Sequence, residues 1–138
     1  MPKITTEEFN TIVKEELPWA FDLGVEATEI GPGSATLMIP YDSRMLRPGG
    51  TMSGPTMMML ADACMYAVIL SEIGIVKLAV TTNLNINFLM KPEPCDLIAK
   101  GTMLKCGKRL AVMVVDLHSK GSDDLVAHAT GTYSIPPR

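Results

Sequence analysis

The spacing of hydrophobic and polar residues changes rhythm along the chain, and each rhythm predicts an element. Near the start, Phe9, Ile12, Val13 and Leu17 recur at helical spacing, so a short helix with one apolar face is expected there. Thr5 or Thr6 is placed to cap it, and Glu7 and Glu8 suit the positive end of its dipole. Pro18 is expected to stop it. Residues 23–30 and 34–39 flank Gly31-Pro32-Gly33, which reads as two strands joined by a tight turn. Over residues 54–73 the apolar residues cover nearly every side of a predicted helix, with Ser53 as cap, Pro55 in the first turn and Gly74 as the stop.

Beyond that helix the period falls to two. Over 78–89, Val80, Thr82, Leu84, Ile86 and Phe88 take one side of a predicted strand, and Thr81, Asn83, Asn85 and Asn87 the other. Strands are also predicted over 96–106, 109–119 and 125–135, separated by turns at Gly107 and Gly121. A helix apolar all round must be wrapped on most of its surface. The expected fold is therefore α+β, a curved antiparallel sheet around one long central helix with a short N-terminal helix, as a single domain over 1–138. Residues 57–76 are apolar enough to suggest a membrane span. Asp62 lies inside that run, and Ser71, Glu72 and Gly74 interrupt its far end, which favours a buried helix and no membrane partner.

Composition narrows the function classes. The chain is 47% hydrophobic and 20% charged over 138 residues, as an ordinary globular domain is. Eleven methionines against 5% aromatic residues fit either an adaptable greasy groove or a Met-rich core. A net charge of −3 without a basic run argues against nucleic acid as a partner. Cys64, Cys95 and Cys106 are odd in number and lack Cys-x-x-Cys spacing, so neither a disulfide framework nor a metal site is expected. His118 and His128 fall on late strands as sheet residues, and Asn83, Asn85 and Asn87 form a polar ladder with a structural role. The N-terminal sequence has no basic-then-apolar leader, and the expected compartment is the cytoplasm.

Asp62 is the one charged side chain between Arg47 and Glu72, set among Met, Leu, Ala and Cys. A buried carboxylate is costly, and it has three possible fates: pairing with a distant cation, reaching a solvent-filled cleft, or working as an acid or base. The glycine-rich loop 47–54 leaves N–H groups free at the helix start, a ready cradle for a carbonyl oxygen gaining charge. Positions 54 and 62 stand about 12 Å apart along a helix rising ~1.5 Å per residue. That is too far for one small carbonyl substrate, so two antiparallel protomers are expected to share a site, amides from one and carboxylate from the other.

The stretch Ser53-Gly-Pro-Thr-Met-Met-Met-Leu-Ala-Asp62 resembles the His-Gly-Gly…Leu-x-Asp segment of hotdog-fold thioesterases of the phenylacetic-acid-degradation type. The resemblance runs in element order from Phe21 to Tyr133 and includes Asn-Ile-Asn-Phe-Leu at 85–89 and Gly-Lys-Arg at 107–109. It implies a hotdog fold and hydrolysis of an acyl-CoA thioester by a homodimer or homotetramer. No cofactor is implied, coenzyme A being part of the substrate. It gives Asp62 the role of general base or nucleophile, Gly54 the amide that polarises the carbonyl, and Thr81, or else Thr82, a water-positioning hydroxyl. Lys105, Lys108 and Arg109 match the turn that lies beside the coenzyme A tail, with Lys91 a further candidate; the same charges would also suit a solvated hairpin. Ser53 replaces the family's His, Pro55 its second Gly, and Arg47 an upstream Asn. Arg47, Ser53 and Met58 are thus the remaining substrate-binding candidates, and Trp19, Phe21 and Met57 to Met59 are candidates to border an apolar pocket. Two other functions fit less well: an acyl-CoA binding or sensing module, and a hydratase, which would want a His near the Gly-rich loop.

Overall fold

The structure is a computed structural model and describes residues 1–137. Helix α1 (Thr6–Glu16) opens with a full capping box, Thr5 accepting from the Glu8 N–H while the Glu8 carboxylate accepts from the Thr5 N–H. Its buried residues are Phe9, Ile12 and Val13. Pro18 ends this helix as expected, and it also starts a second one, α2 (Pro18–Asp22), because a proline at the first helical position lacks only a donor that would be unpaired anyway. Strands β1 (Glu26–Gly31) and β2 (Ser34–Ile39) form the predicted hairpin, whose turn uses Gly33 at φ +68. A small ribbon of β3 (Leu46–Arg47) and β4 (Thr51–Met52) leads into α3 (Gly54–Ile73). Then follow β5 (Val80–Phe88), β6 (Leu97–Cys106), β7 (Leu110–Ser119) and β8 (Leu125–Ser134).

The six long strands form one antiparallel sheet in the order β1-β2-β6-β7-β8-β5, curled around α3. Close approach of helix to sheet needs residues without side chains. A Cβ at Gly131 would stand 2.5 Å from Met65 Sδ, and one at Gly101 would stand 2.9 Å from Cys64 Sγ. Cys64 is fully buried, and burial pushes its thiol up to about 12, which removes it as a nucleophile. Among the described residues, α3 is the one helix long and apolar enough to cross a membrane, and it is the helix the sheet wraps.

The wrapping is incomplete in one direction. Between 54 and 63, the residues left outside the core are Gly54, Pro55, Met58, Met59, Asp62 and Ala63. Their four-residue spacing makes one continuous stripe along the helix. Beside it runs β5, an edge strand paired only with β8. A β-bulge between Thr81 and Asn83 changes the phase of β5. Strict alternation places Thr81 with the asparagines; the bulge turns it instead to the helix side, which it shares with Leu84 and Ile86.

Candidate active site

Asp62 stands two turns into α3, on the uncovered stripe and half-buried. Two hydroxyls hold it. Thr81 Oγ1 donates to Asp62 Oδ1 at 2.6 Å, and Tyr133 OH donates to the same oxygen at 2.8 Å while also approaching the Asp62 carbonyl at 3.0 Å. Strand pairing sets the two donors side by side, since Thr81 is the register partner of Tyr133. Tyr133 is 3% exposed and its ring stacks on Tyr66 at 6.3 Å. Burial first, and then the negative charge of Asp62, push this phenol well above its ordinary range, so it acts only as a donor. Oδ2 accepts no hydrogen bond from the described residues, and no cation pairs with the carboxylate among them. Of the three fates open to Asp62, the cleft is the one observed: the carboxylate lines a cavity of about 320 Å³ with Leu17, Trp19, Met59 and Tyr66.

The helix start makes a second, separate cavity of about 370 Å³, lined by Arg47, Thr51, Gly54, Met57, Phe88 and Lys91 among others. Ser53 is the cap: its Oγ accepts from the Thr56 N–H at 3.4 Å and lies 2.9 Å from Thr56 Oγ1, while its own N–H is held by Met45 O at 2.8 Å. The first helical hydrogen bond runs from Met57 N–H to Ser53 O. Pro55 carries no N–H, and the Gly54 N–H finds no acceptor among the described residues. The Phe88 ring closes over Gly54, 3.4 Å from where a Cβ would be. Thr51 is 5% exposed and its Oγ1 has no hydrogen-bond partner among the described residues.

The other predicted residues divide between these two ends. Arg47 and Lys91 line the Gly54 cavity. Lys105, Lys108 and Arg109 are exposed around the β6–β7 turn. That turn lies at the Asp62 end of the sheet, because Ile135 N–H bonds Arg109 O at 2.7 Å and Ala111 pairs with Tyr133. Met58 lines neither cavity; it is 40% exposed on the stripe, while Met57 faces the Gly54 cavity and Met59 the Asp62 cavity. Thr82 sits in the bulge and gives its hydroxyl to Thr132 O at 3.1 Å, which leaves Thr81 as the hydroxyl on Asp62. Trp19 borders the Asp62 cavity, whereas Phe21 stands apart from it under the Lys14 ammonium at 5.6 Å. His128 pairs with Asp116 at 2.7 Å and His118 Nδ1 lies 3.1 Å from Ser119 O, both as sheet residues. Tyr133 is the functional candidate that sequence reasoning missed. The signal was there: a phenol alternating with Gly131, Ala129 and Ala127 on the inward face of a strand must find a buried acceptor.

Residues 49–126 match the model of a family described as the thioesterase superfamily. A crystal structure of a putative thioesterase from a Silicibacter species is 38% identical and superposes with a TM-score of 0.90, covering 99% of this chain and 95% of that one. The chain belongs to the thioesterase superfamily. Other likenesses extend this thioesterase's relatives. A putative esterase of Saccharolobus solfataricus is 29% identical over 135 residues, 97% of this chain and 87% of that protein. A variant of a phenylacetic acid degradation protein from Thermus thermophilus shares the fold, with 22% identity and a TM-score of 0.75 over 86% of this chain and 99% of that one. The hotdog architecture and the reaction class, thioester hydrolysis, thus stand together. The matched segment of the thioesterase contains Gly54, Asp62 and Thr81; Tyr133 and the α1–α2 segment lie outside it.

Proposed function

We propose that this thioesterase hydrolyses acyl-CoA as a homo-oligomer, a homodimer or homotetramer, with Asp62 as general base and Gly54 of the partner subunit as the oxyanion donor. The observation that carries the reading is the Asp62 carboxylate, held on Oδ1 by two hydroxyls and open at Oδ2, on the uncovered stripe of α3. Thr81 and Tyr133 both direct their protons to Oδ1. A water can then give one hydrogen to Oδ2 and rest the other on a lone pair of Thr81 Oγ1, which leaves its oxygen free to attack. As the water adds to the carbonyl carbon, its proton passes to Oδ2 and the carbonyl oxygen takes up negative charge at the Gly54 amide. Collapse of the adduct breaks the C–S bond, and the leaving thiolate recovers the proton from Asp62. The products are a carboxylic acid and free coenzyme A.

The edge strand supports sharing the site between copies. Thr81 lies near the start of β5 and Phe88, which covers Gly54, at its end. Two β5 strands laid side by side in antiparallel fashion bring the Thr81 end of one against the Phe88 end of the other, and so Asp62 toward Gly54 of the partner subunit. The same pairing covers the exposed edge and the Met58 stripe. In this reading Lys105, Lys108 and Arg109 at the Asp62 end, and Arg47 and Lys91 at the Gly54 end, meet the phosphates of coenzyme A. We assign the protein to the cytoplasm, where acyl-CoA is made and used.

Thiol release from acyl-CoA substrates tests this. Asp62→Asn should lose about 10²- to 10⁴-fold in kcat, with melting and sedimentation kept. Near-wild-type turnover in that variant would end the proposal. A single turnover in H₂¹⁸O should place the label in the released acid and none in the Asp62 peptide; label in the peptide would mean attack by the carboxylate itself.

A further inference from the structure

The cavity beside Asp62 has three walls: Met59, Ala63 and Tyr66 of α3, the segment 77–81, and Leu17, Trp19 and Ala20 from the α1–α2 junction. Its inner polar side chains are engaged, and its one charged pair lies at the rim. Glu16 and Lys77 face each other at 3.7 Å. Tyr66 OH donates to Lys77 O at 3.0 Å, and Thr81 and Tyr133 are both on Asp62. Inside the Glu16–Lys77 rim pair, the open oxygen of Asp62 is the polar side-chain atom left for a ligand among the described lining residues. Beside the Glu16–Lys77 pair, the exposed lining is mostly apolar: Trp19 is 54% exposed, Val80 57% and Leu78 80%. A mostly apolar lining around a reactive carboxylate marks a ligand site.

We propose that this cavity holds the acyl chain, that it selects unfunctionalised apolar chains of medium length, and that Trp19 sets the limit. The inference rests on the proposed function only for Asp62 as the reacting group. A cavity of about 320 Å³ is at the small end of ligand sites, which run from about 300 to 1,000 Å³, and so suits a chain of medium length better than a long one. The wall carrying Trp19 is supplied by α1 and α2, outside the family-matched segment.

The test is a series of straight-chain thioesters from acetyl to palmitoyl, each as the coenzyme A ester and as the N-acetylcysteamine ester. We expect kcat/KM to rise about fourfold per methylene, the value of one buried CH₂, and to stop rising at medium length. Trp19→Ala should move the break to longer chains, and Trp19→Phe should move it less. Phe21→Ala, on the same short helix but outside the cavity, should leave it in place. A flat series, or a break that Trp19→Ala leaves unmoved, overturns the inference; so does a Trp19→Ala variant that changes sedimentation and nothing else. The chain has a single tryptophan, so binding of the unreactive thioether S-octyl-N-acetylcysteamine should perturb its fluorescence in wild type and in Asp62→Asn alike. That readout separates the two ideas: a saturable signal with wild-type turnover retained in Asp62→Asn removes the base and keeps the acyl site, while turnover that needs Asp62 but shows no length dependence does the reverse.

Discussion

The two ends of α3 solve opposite problems. At Asp62 the protein has brought polar groups into an apolar surround and paired them, with two hydroxyls from neighbouring strands locked on one carboxylate oxygen. At Gly54 it has left a polar group unpaired: the amide has no acceptor among the described residues, the next residue is a proline, and Thr51 keeps a buried hydroxyl without a partner among them. A buried carboxylate without donors costs folding energy, so one end is satisfied inside the protomer. If the Gly54 amide is the oxyanion donor proposed above, it must stay free until charge develops in the reaction, and the other end is therefore left open. The two cavities share no lining residue, as expected if each protomer carries half of two sites.

Mixing two crippled copies would break or sharpen that contrast most strongly. Gly54→Pro removes the amide hydrogen at a position where helices accept proline, and Asp62→Ala removes the carboxylate. Each homo-oligomer should be inactive. After co-refolding in equal amounts, half the pairs combine one of each, and each mixed pair holds one intact site, so about a quarter of wild-type activity should return. Absence of recovery, with mixed oligomers verified by native mass spectrometry, would place both halves in one protomer. Tyr133→Phe is the next largest effect. It takes one of two donors from Oδ1, and we expect kcat to fall about 10- to 150-fold, the value of a hydrogen bond to a charged group worth about 1.5–3 kcal/mol, with KM little changed. On an Asp62→Asn background the same change should cost almost nothing, whereas a purely structural tyrosine would cost the same in both.

Much of this was legible in the sequence, and the residues show why. The limits of α3 could be read from Ser53, Pro55 and Gly74, because caps and breakers act locally. Asp62 was legible because charge stands out in an apolar helix. Thr81 was identified as the hydroxyl, yet alternation alone put it on the wrong side of β5, since a one-residue bulge leaves no mark in a period-two pattern. Tyr133 lies 71 residues from the carboxylate it holds, and such a pairing is fixed by the register of β5 on β8, which local spacing does not encode. Pro18 was read as a stop, which it is; that it also begins α2 and carries Trp19 to the cavity depends on packing against α1.

The smallest effect expected concerns charge at the rims. Lys108 and Arg109 lie at the Asp62 end and Arg47 and Lys91 at the Gly54 end, so under the proposed function a coenzyme A tail crossing between copies would have cations at both. Exposed charges act weakly and are screened by salt, each worth about 0.2–1 kcal/mol. Lys108→Ala with Arg109→Ala should therefore raise KM for coenzyme A esters a few-fold at low ionic strength, with kcat retained, and the difference should shrink as salt is added. The N-acetylcysteamine esters, which have no phosphates, should show no change in the same variant. If they lose as much as the coenzyme A esters, the turn supports the sheet end around Tyr133 instead of meeting the substrate, and the contrast between the two ends would then be one of hydrogen bonding alone.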